Sequence, residues 1–463
     1  MGALREYQRP HAEALLAALH KPGFPFALDF SDMGTGKTYV TADLIRRTGA
    51  ATLVVCPRAL RPGWHQVAQQ MGTEVSTINY EMLRSGRSPY GRWEPLPHGR
   101  GHRKHFRYAK QIDLLVFDEF QRCRGHDTLT HRLAADAKLS GIPTIALTAT
   151  PAETPMHCRA LGYLSGWFDY FHFFNWVQNH GCVKPFGSSD WKFVGARGRP
   201  PVQIMSELRQ LMLQRGSRVA IEELPPGTFP ENILEPRLYE IGNPTRVTAL
   251  YKEVKEGIAA LRQRQLDDRN AEHALTQMLR ARQEISLLRV PLLKELIQDD
   301  LDQGRSVVVF CNFLFTIAEL AKIFQSLDPA IITGQGGWQV AMPRRRETTA
   351  QAAARFQRND TIVCFTQSDT GGVGLSLHDL YGRQRVSYAE LHWSAMSFMQ
   401  LLGRIRRDGA VSPAIQRIPC IAGTPEEKVY AALVRKSANL QALLTDEDLD
   451  PWGGARMVSA GHL

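Results

Sequence analysis

The sequence is poor in cysteine and has no long apolar run, and each shortage narrows what the chain can be. Seven cysteines (positions 56, 123, 158, 182, 311, 364 and 420) are scattered over 463 residues. They are odd in number and none forms a C-x-x-C pair, so neither a disulfide framework nor a zinc site is indicated. Cys56, Cys311, Cys364 and Cys420 fall in apolar, strand-like runs, where a thiol behaves as a small buried hydrophobe. A reducing compartment, the cytoplasm or a nucleus, is the expected setting. No apolar stretch is long enough to span a bilayer. The opening MGALREYQRPHAEALL carries charges inside its apolar stretch, which does not fit a secretory signal, and has too little serine for a transit peptide. Short-period repeats and low-complexity tracts are also missing.

Acidic residues are the scarcer charge. Against 56 Lys and Arg stand 46 Asp and Glu, giving a net charge of +10. A basic surplus of this size favours a polyanionic partner, most simply nucleic acid. It is concentrated in one place. Arg84, Arg87, Arg92, Arg100, Arg103, Lys104, Arg107 and Lys110 lie in a segment whose only acid is Glu94, with Tyr90, Trp93, Phe106 and Tyr108 interleaved. The segment lacks helical periodicity, so a surface loop is expected, with phosphate contact along a nucleic-acid track as its function.

The length exceeds one ordinary core and implies two or three domains. Val-, Ile- and Leu-rich strand candidates form two sets. The first is Pro25–Phe30, Thr52–Cys56, Asp113–Glu119 and Thr144–Thr150. The second is Ser306–Asn312, Ala330–Thr333, Thr361–Thr366, Arg385–Glu390 and Ile415–Ala422. They are continuous rather than alternating, as strands covered on both faces are, and helical stretches separate them. Parallel α/β sheets in two lobes are therefore expected. Tyr163–Asn179 reads as aromatic helix-and-loop packing and Gly195–Pro201 as a loop. Glu223–Pro236, with four prolines, reads as the linker. Thr245–Leu301 reads as two or three long helices, and the residues from about Asp450 as a loose tail. The expected division is residues 1–222 for the first lobe, 223–240 for the linker, 241–295 for a helical protrusion, 296–445 for the second lobe and 446–463 for the tail.

Three elements carry chemistry. Pro25–Phe30 runs into Ser31-Asp32-Met33-Gly34-Thr35-Gly36-Lys37-Thr38 and then a helix with apolar spacing at Val40, Leu44 and Ile45. That is the strand–loop–helix context of a phosphate cradle. Gly34 and Gly36 let the backbone approach the phosphates, Lys37 supplies charge to the β- and γ-phosphates, and Thr38 a hydroxyl to Mg²⁺. Ser31 stands where the first Gly is usual. Next, the strand Leu114–Phe117 ends in Asp118-Glu119. There Asp118 would hold Mg²⁺ and Glu119 would orient or deprotonate the attacking water. Last, Gln400-Leu401-Leu402-Gly403-Arg404-Ile405-Arg406-Arg407 places two arginines three apart, expected on one helical face as arginine fingers. ATP would then lie between the lobes, with hydrolysis gated by closure.

With these residues in order, the chain resembles superfamily 2 helicase-type ATPases, and among them the Swi/Snf-type DNA translocases. Leu4-Arg5-Glu6-Tyr7-Gln8 resembles the motif whose Gln reads adenine. SDMGTGKT is similar to the family's D-E-M-G-x-G-K-T, which also lacks the first Gly. Val54-Val55-Cys56-Pro57 with Trp64 resembles motif Ia, and Ile78-Asn79-Tyr80-Glu81 the next track-contacting motif. Leu147-Thr148-Ala149-Thr150-Pro151 resembles motif III. Met212-Leu213-Gln214-Arg215 through Glu223-Leu224-Pro225-Pro226 matches M-L-R-R…E-L-P-P, which general helicases lack. Val309–Phe313, Gly371–Leu377, Gln400–Gly409 and Thr424–Lys428 resemble motifs IV, V, VI and the segment closing the motor. Gln121, Ala149 and Ser376 depart from the family's His, Gly and Asn.

The resemblance implies two RecA-like lobes and a Mg²⁺–ATP site. It assigns Arg5, Gln8, Met33–Thr38 and Gly374 to the nucleotide, and Lys37, Asp118, Glu119, Gln400, Arg404 and Arg407 to hydrolysis. DNA contacts would come from Pro57, Trp64, Asn79, Arg100, Arg103, Lys104, Arg107, Asn312, Ser368, Gly371, Gly372 and Trp393. It implies a motor tracking on double-stranded or branched DNA, expected to act as a monomer in replication, recombination or repair. From size alone, no room is expected for a nuclease, histone-reader or zinc module, and an enzyme more like a bacterial or phage one than a nuclear remodeller is expected. A strand-separating DNA or RNA helicase, and the ATP-switch subunit of a restriction or defence complex, remain alternatives.

Overall fold

The structure is a computed structural model. It describes residues 2–95, 104–125, 128–186, 191–196, 198–225, 227–262, 268–334, 347–368, 376–391, 394–444 and 458–459. Two compact units emerge, Met1–Pro225 with Lys436–Leu449, and Pro226–Arg435 with Asp450–Leu463.

In the first unit the strands are β1 (Phe26–Asp29), β2 (Thr52–Val55), β3 (Ser76–Ile78), β4 (Gly91–Pro95), β5 (Lys104–Tyr108), β6 (Leu114–Asp118), β7 (Thr144–Leu147), β8 (Cys182–Val183), β9 (Lys192–Phe193) and β10 (Gly216–Ser217). Six of them form a parallel sheet in the order β10-β1-β7-β6-β2-β3. Every residue of β1, β2, β6 and β7 is buried. That is why these strands read as unbroken apolar runs: helices cover both faces. The helices are α1 (Gln8–Leu19), α2 (Lys37–Thr48), α3 (Arg61–Met71), α4 (Tyr80–Arg84), α5 (Leu129–Leu139), α6 (Arg159–Ser165), α7 (Phe173–Asn179) and α8 (Pro201–Leu213). One apolar cluster joins Leu15, Val40, Leu44 and Ile45 to Val54, Val116, Ile145 and Leu147.

Among its described residues the basic segment holds two strands where a loop was expected. β4 and β5 pair antiparallel, from Gly91↔Tyr108 to Pro95↔Lys104. Along β5 the half-buried His105 and the exposed Arg107 alternate with the buried Phe106 and Tyr108, and only Lys104 at the strand's start departs from this. This is a strand period of two, which a test for helical spacing passes over. Arg100 and Arg103 lie outside the described residues.

In the second unit the strands are β11 (Asn232–Tyr239), β12 (Ser306–Cys311), β13 (Ala330–Ile332), β14 (Val363–Gln367), β15 (Arg385–Ala389), β16 (Ala414–Ile421) and β17 (Val458–Ser459). They form a parallel sheet in the order β13-β14-β12-β15-β16-β11-β17. Its helices are α9 (Pro244–Arg262), α10 (Asp268–Leu288), α11 (Val290–Asp302), α12 (Leu314–Ile323), α13 (Thr349–Gln357), α14 (Ala395–Leu402) and α15 (Glu426–Leu444). The last of these runs past the unit boundary. The long helices expected over Thr245–Leu301 are α9, α10 and α11.

Two expectations need correction here. The proline-rich linker reading extends too far, because Asn232–Tyr239 is a full strand against β16. Among the described residues β17 pairs with Arg237 and Leu238 and not with Pro236, so no described partner on that flank calls on the missing N–H. The tail is likewise not wholly loose, since Val458 and Ser459 make that pairing. Both units are parallel α/β sheets and constitute two RecA-like lobes. All seven cysteines are buried and unpaired. Among the described residues no helix is long and apolar enough to cross a membrane.

Candidate active site

The site is built at the carboxyl ends of β1 and β6, where parallel sheets place their ligand-binding loops. After β1 the chain turns through Gly34 (φ 85°) and Gly36 (φ 88°), both left-handed. A Cβ at the second would also stand 2.3 Å from Gln8 Nε2, so the Gln8 side chain would have to move away. Gly36 caps α2, whose first residue is Lys37. The free N–H groups and dipole of that helix end therefore face the loop. Lys37 Nζ donates to the carbonyls of Ser31 (2.9 Å) and Asp32 (3.0 Å), folding its charge into the loop. The Thr35 hydroxyl donates to Asp32 O at 2.8 Å. Thr38 follows in the first turn of α2.

Ser31, in place of the usual glycine, has a structural use. Its hydroxyl accepts from Val219 N at 2.9 Å and lies 3.2 Å from His11 Nε2. Asp32 pairs with Arg218 at 2.6 Å and accepts from Ile221 N at 2.9 Å. The segment that leads into Glu223-Leu224-Pro225 is thus stapled to the phosphate loop. Beneath it, Asp29 is fully buried against His11 at 3.0 Å. Burial pushes the Asp29 carboxyl up, but the charge and hydrogen bond of His11, the charge of Lys37 and the Ser31 bond outweigh it, holding the group below its usual range.

Gln8, assigned to adenine by resemblance, donates through Nε2 to Thr35 O at 2.8 Å, and its Oε1 accepts from Arg5 N at 3.0 Å. Tyr7 Oη donates to the same carbonyl at 3.2 Å. The N-terminal motif is therefore bonded directly to the phosphate loop.

At the end of β6, Asp118 is 9% exposed. Its Oδ1 accepts from Glu119 N at 2.9 Å and its Oδ2 from the indole N–H of Trp64 at 2.8 Å. Tyr80 Oη donates to its carbonyl at 2.8 Å. Burial and the charge of Glu119 push the Asp118 carboxyl up to about 7, against the pull of Trp64, Lys37 and the Glu119 N–H. Glu119 sits at φ 57°, a left-handed conformation rare for a residue with a side chain. Such backbone is held by its surroundings, and it re-aims the carboxylate as the strand ends. Gln121 Nε2 donates to Glu119 Oε2 at 2.5 Å, and Gln121 Oε1 accepts from Thr148 at 2.7 Å. Gln121, where the family usually has His, thus links the acid pair to the motif after β7. Sequence reading missed the Trp64, Tyr80, Arg218 and Gln121–Thr148 contacts. The one available signal was the spacing of Gln121 from Glu119; the others join segments far apart in the chain.

The remaining predicted residues fall in several places. Pro57 is buried just after β2. Trp64, assigned to the track, is 1% exposed, and its indole faces Asp118 rather than the surface. Asn79 is 8% exposed and donates to Glu81 at 3.0 Å. Lys104 and Arg107 lie on the hairpin, where Glu94 pairs with Arg92 (2.8 Å) and Arg107 (3.3 Å) and Arg132 covers the Trp93 ring at 4.9 Å.

In the second lobe, Asn312 N donates to Glu390 at 2.9 Å and Ser368 is buried after β14. Gln400 is on α14. The helix ends at Leu402, so Arg404 and Arg407 do not share a helical face as expected; Gly403 stops the helix, Arg404 lies in the turn that follows and Arg407 in the irregular stretch after it. Arg404 is 2% exposed, and its carbonyl accepts from Leu377 N at 3.0 Å. Gly371, Gly372, Gly374 and Trp393 lie outside the described residues.

Among the described residues no group of three or more His, Cys, Asp or Glu could hold a metal by itself. Thr38 and Asp118 offer one hydroxyl and one carboxylate. Such a sparse oxygen donor set suits Mg²⁺, which keeps waters and takes phosphate oxygens as its other ligands.

No protein-family model matches the sequence. The chain is 28% identical over 477 aligned residues to a protein of Acanthamoeba polyphaga mimivirus, named provisionally as an ATP-dependent RNA helicase. The alignment covers 96% of this chain and 84% of that protein. The likeness, spanning both lobes, accords with the phosphate loop and acid pair described above: this is a nucleoside-triphosphate-hydrolysing enzyme of helicase-like build.

Proposed function

We propose that the chain is an ATP-driven motor that tracks along double-stranded or branched DNA and serves replication, recombination or repair by remodelling forks or reannealing strands. The observation that carries this reading is the staple at Arg218–Asp32 and Ile221–Asp32, which ties to the phosphate loop the chain leading into Glu223-Leu224-Pro225, the segment that resembles the one Swi/Snf-type motors have and general helicases lack. The exposed basic hairpin supports a polyanionic track.

In this reading Lys37 and the N–H groups of the loop hold the phosphates, and Thr38 and Asp118 hold Mg²⁺. The metal, when bound, neutralises charge on the phosphate oxygens. Glu119 takes the proton of the attacking water, and Gln121 keeps its carboxylate in place. Arg404 and Arg407 stand at the positions that the resemblance assigns to hydrolysis. The protein acts as a monomer.

A second reading, a strand-separating RNA helicase, is favoured by the name of the mimivirus relative. ATPase assays with no nucleic acid, single-stranded DNA, duplex DNA, forked DNA and RNA, with Lys37→Ala as blank, separate the two. Stimulation by duplex or forks supports the translocase. Preference for RNA, with unwinding, supports the second reading and defeats the first.

A further inference from the structure

We infer that the buried indole of Trp64 is a positioning residue for the nucleotide-bound metal, fixing the Asp118 carboxylate and tying its orientation to helix α3. This rests on the ATP-motor reading above and adds a residue to it. The two carboxylate oxygens of Asp118 are each committed to one N–H donor, Oδ2 to Trp64 at 2.8 Å and Oδ1 to the Glu119 backbone at 2.9 Å. The main chain of Asp118 is held separately by Tyr80, 2% exposed, through its carbonyl at 2.8 Å. Three segments therefore grip one residue, and the carboxylate plane has no freedom left to rotate. An indole N–H only donates, so this bond is always made to an acceptor and cannot invert. Loss of such outer contacts to a metal-binding carboxylate weakens metal binding because the ligand must then be ordered as the metal arrives.

Helix α3 also reaches the surface. Arg58 is exposed just before it, and Arg61 begins it. Arg61 Nε donates to Thr77 Oγ1 at 3.0 Å, and His65 lies 2.9 Å from the same hydroxyl. A phosphate drawn to Arg58 or Arg61 would pull on the first turn of the helix that carries Trp64 one turn further on. Trp64 then transmits that pull to Asp118 through a single hydrogen bond. The segment assigned to the track by resemblance would act on the ATP site from the inside.

Trp64→Phe keeps the ring and removes the N–H. We expect the Mg²⁺ concentration for half-maximal tight binding of a fluorescent ADP to rise about 10-fold, with metal-free ADP affinity and Tm held. An unchanged Mg²⁺ requirement, or an equal loss with and without metal, would overturn the inference in favour of simple packing. Should Trp64→Phe fail to fold, the wild-type protein answers instead. Its Trp64 indole ¹H–¹⁵N resonance should shift with Mg²⁺ and ADP together and not with ADP alone; an unmoved resonance overturns the inference. Nucleic-acid stimulation at saturating Mg²⁺ tests the link to α3. Equal stimulation of wild type and Trp64→Phe removes that link. A wild type that no nucleic acid stimulates removes the track reading and leaves the metal titration to decide the role of Trp64.

Discussion

The two lobes share a parallel sheet and differ in how they treat buried charge. In the first, beside closed pairs such as His11–Asp29 and Arg218–Asp32, ionisable groups converge at the carboxyl ends of the strands, where a ligand would bind. Lys37 donates to two carbonyls and lends its charge to Asp29 and Asp118, Asp118 is pushed up to about 7, and Glu119 is held in a left-handed conformation. In the second, charges neutralise each other as girders. Arg289 pairs with Glu426, both almost fully buried, and Glu426 also accepts from Ile421 N at 2.9 Å. Arg417 bridges Asp300 (2.6 Å) and Glu235 (2.9 Å), with Tyr388 donating to Asp300 at 2.5 Å. One sheet architecture thus supports an unfinished electrostatic site in one lobe and closed ion pairs in the other. Function lies in which charges are left for a ligand to complete.

The sharpest break of this contrast is Lys37→Ala. Removing the loop's lysine should lower ATP turnover at least ~100-fold while leaving the unfolding midpoint within a few degrees. Steady-state ATPase and a thermal melt check both halves, and turnover that survives would dissolve the contrast. The counterpart in the second lobe is Glu426→Ala, which leaves Arg289 buried without its partner. It should cost about 3–5 kcal/mol of stability in urea yet leave ADP affinity nearly unchanged.

Opposite responses to acid come next in size. His378, in the second lobe, is held down to about 4 by burial and by the charges of Arg407 and Arg385. The unfolded chain takes up its proton first, so stability falls as pH drops from about 6.5 towards 4. Asp136, in the first lobe, is pushed up to about 6 by burial, although it accepts from Phe106 N at 2.6 Å. Here the folded chain binds the proton more tightly, so stability falls as pH rises from about 4 to 6. Asp136→Asn should abolish that loss, and His378→Gln should abolish the first; urea melts across this pH range would show whether the two signs differ. The smallest effect is expected on the hairpin. Neutralising Arg92, Lys104 and Arg107 should weaken DNA binding and flatten its salt dependence by about one unit of slope for each phosphate that is no longer neutralised. An unchanged slope would return the hairpin to an ordinary solvated surface.

Much of this was legible in the sequence, and the reasons are local. β1, β2, β6 and β7 announce themselves because both their faces are buried, and the phosphate loop because glycine is needed at Gly34 and Gly36. What stayed hidden depends on distance. Trp64 reads as a surface residue of a track motif until the fold turns it onto Asp118, 54 positions away. Ser31 reads as a flaw until Val219 N is found on its hydroxyl. β11 was obscured by its own Pro236, and the hairpin by a charge run that drowned its alternation. The ends of helices were legible only in part: Gly403 was in plain view, yet the spacing of Arg404 and Arg407 suggested that α14 continued.

The most direct test of the account is displacement of a third strand from a DNA triplex, followed in real time with ATP. The wild-type protein should displace the strand, Lys37→Ala and Glu119→Gln should not, and plain duplex DNA should stay largely paired throughout. Failure to displace the strand, together with ATP-dependent unwinding of an RNA duplex, would contradict it.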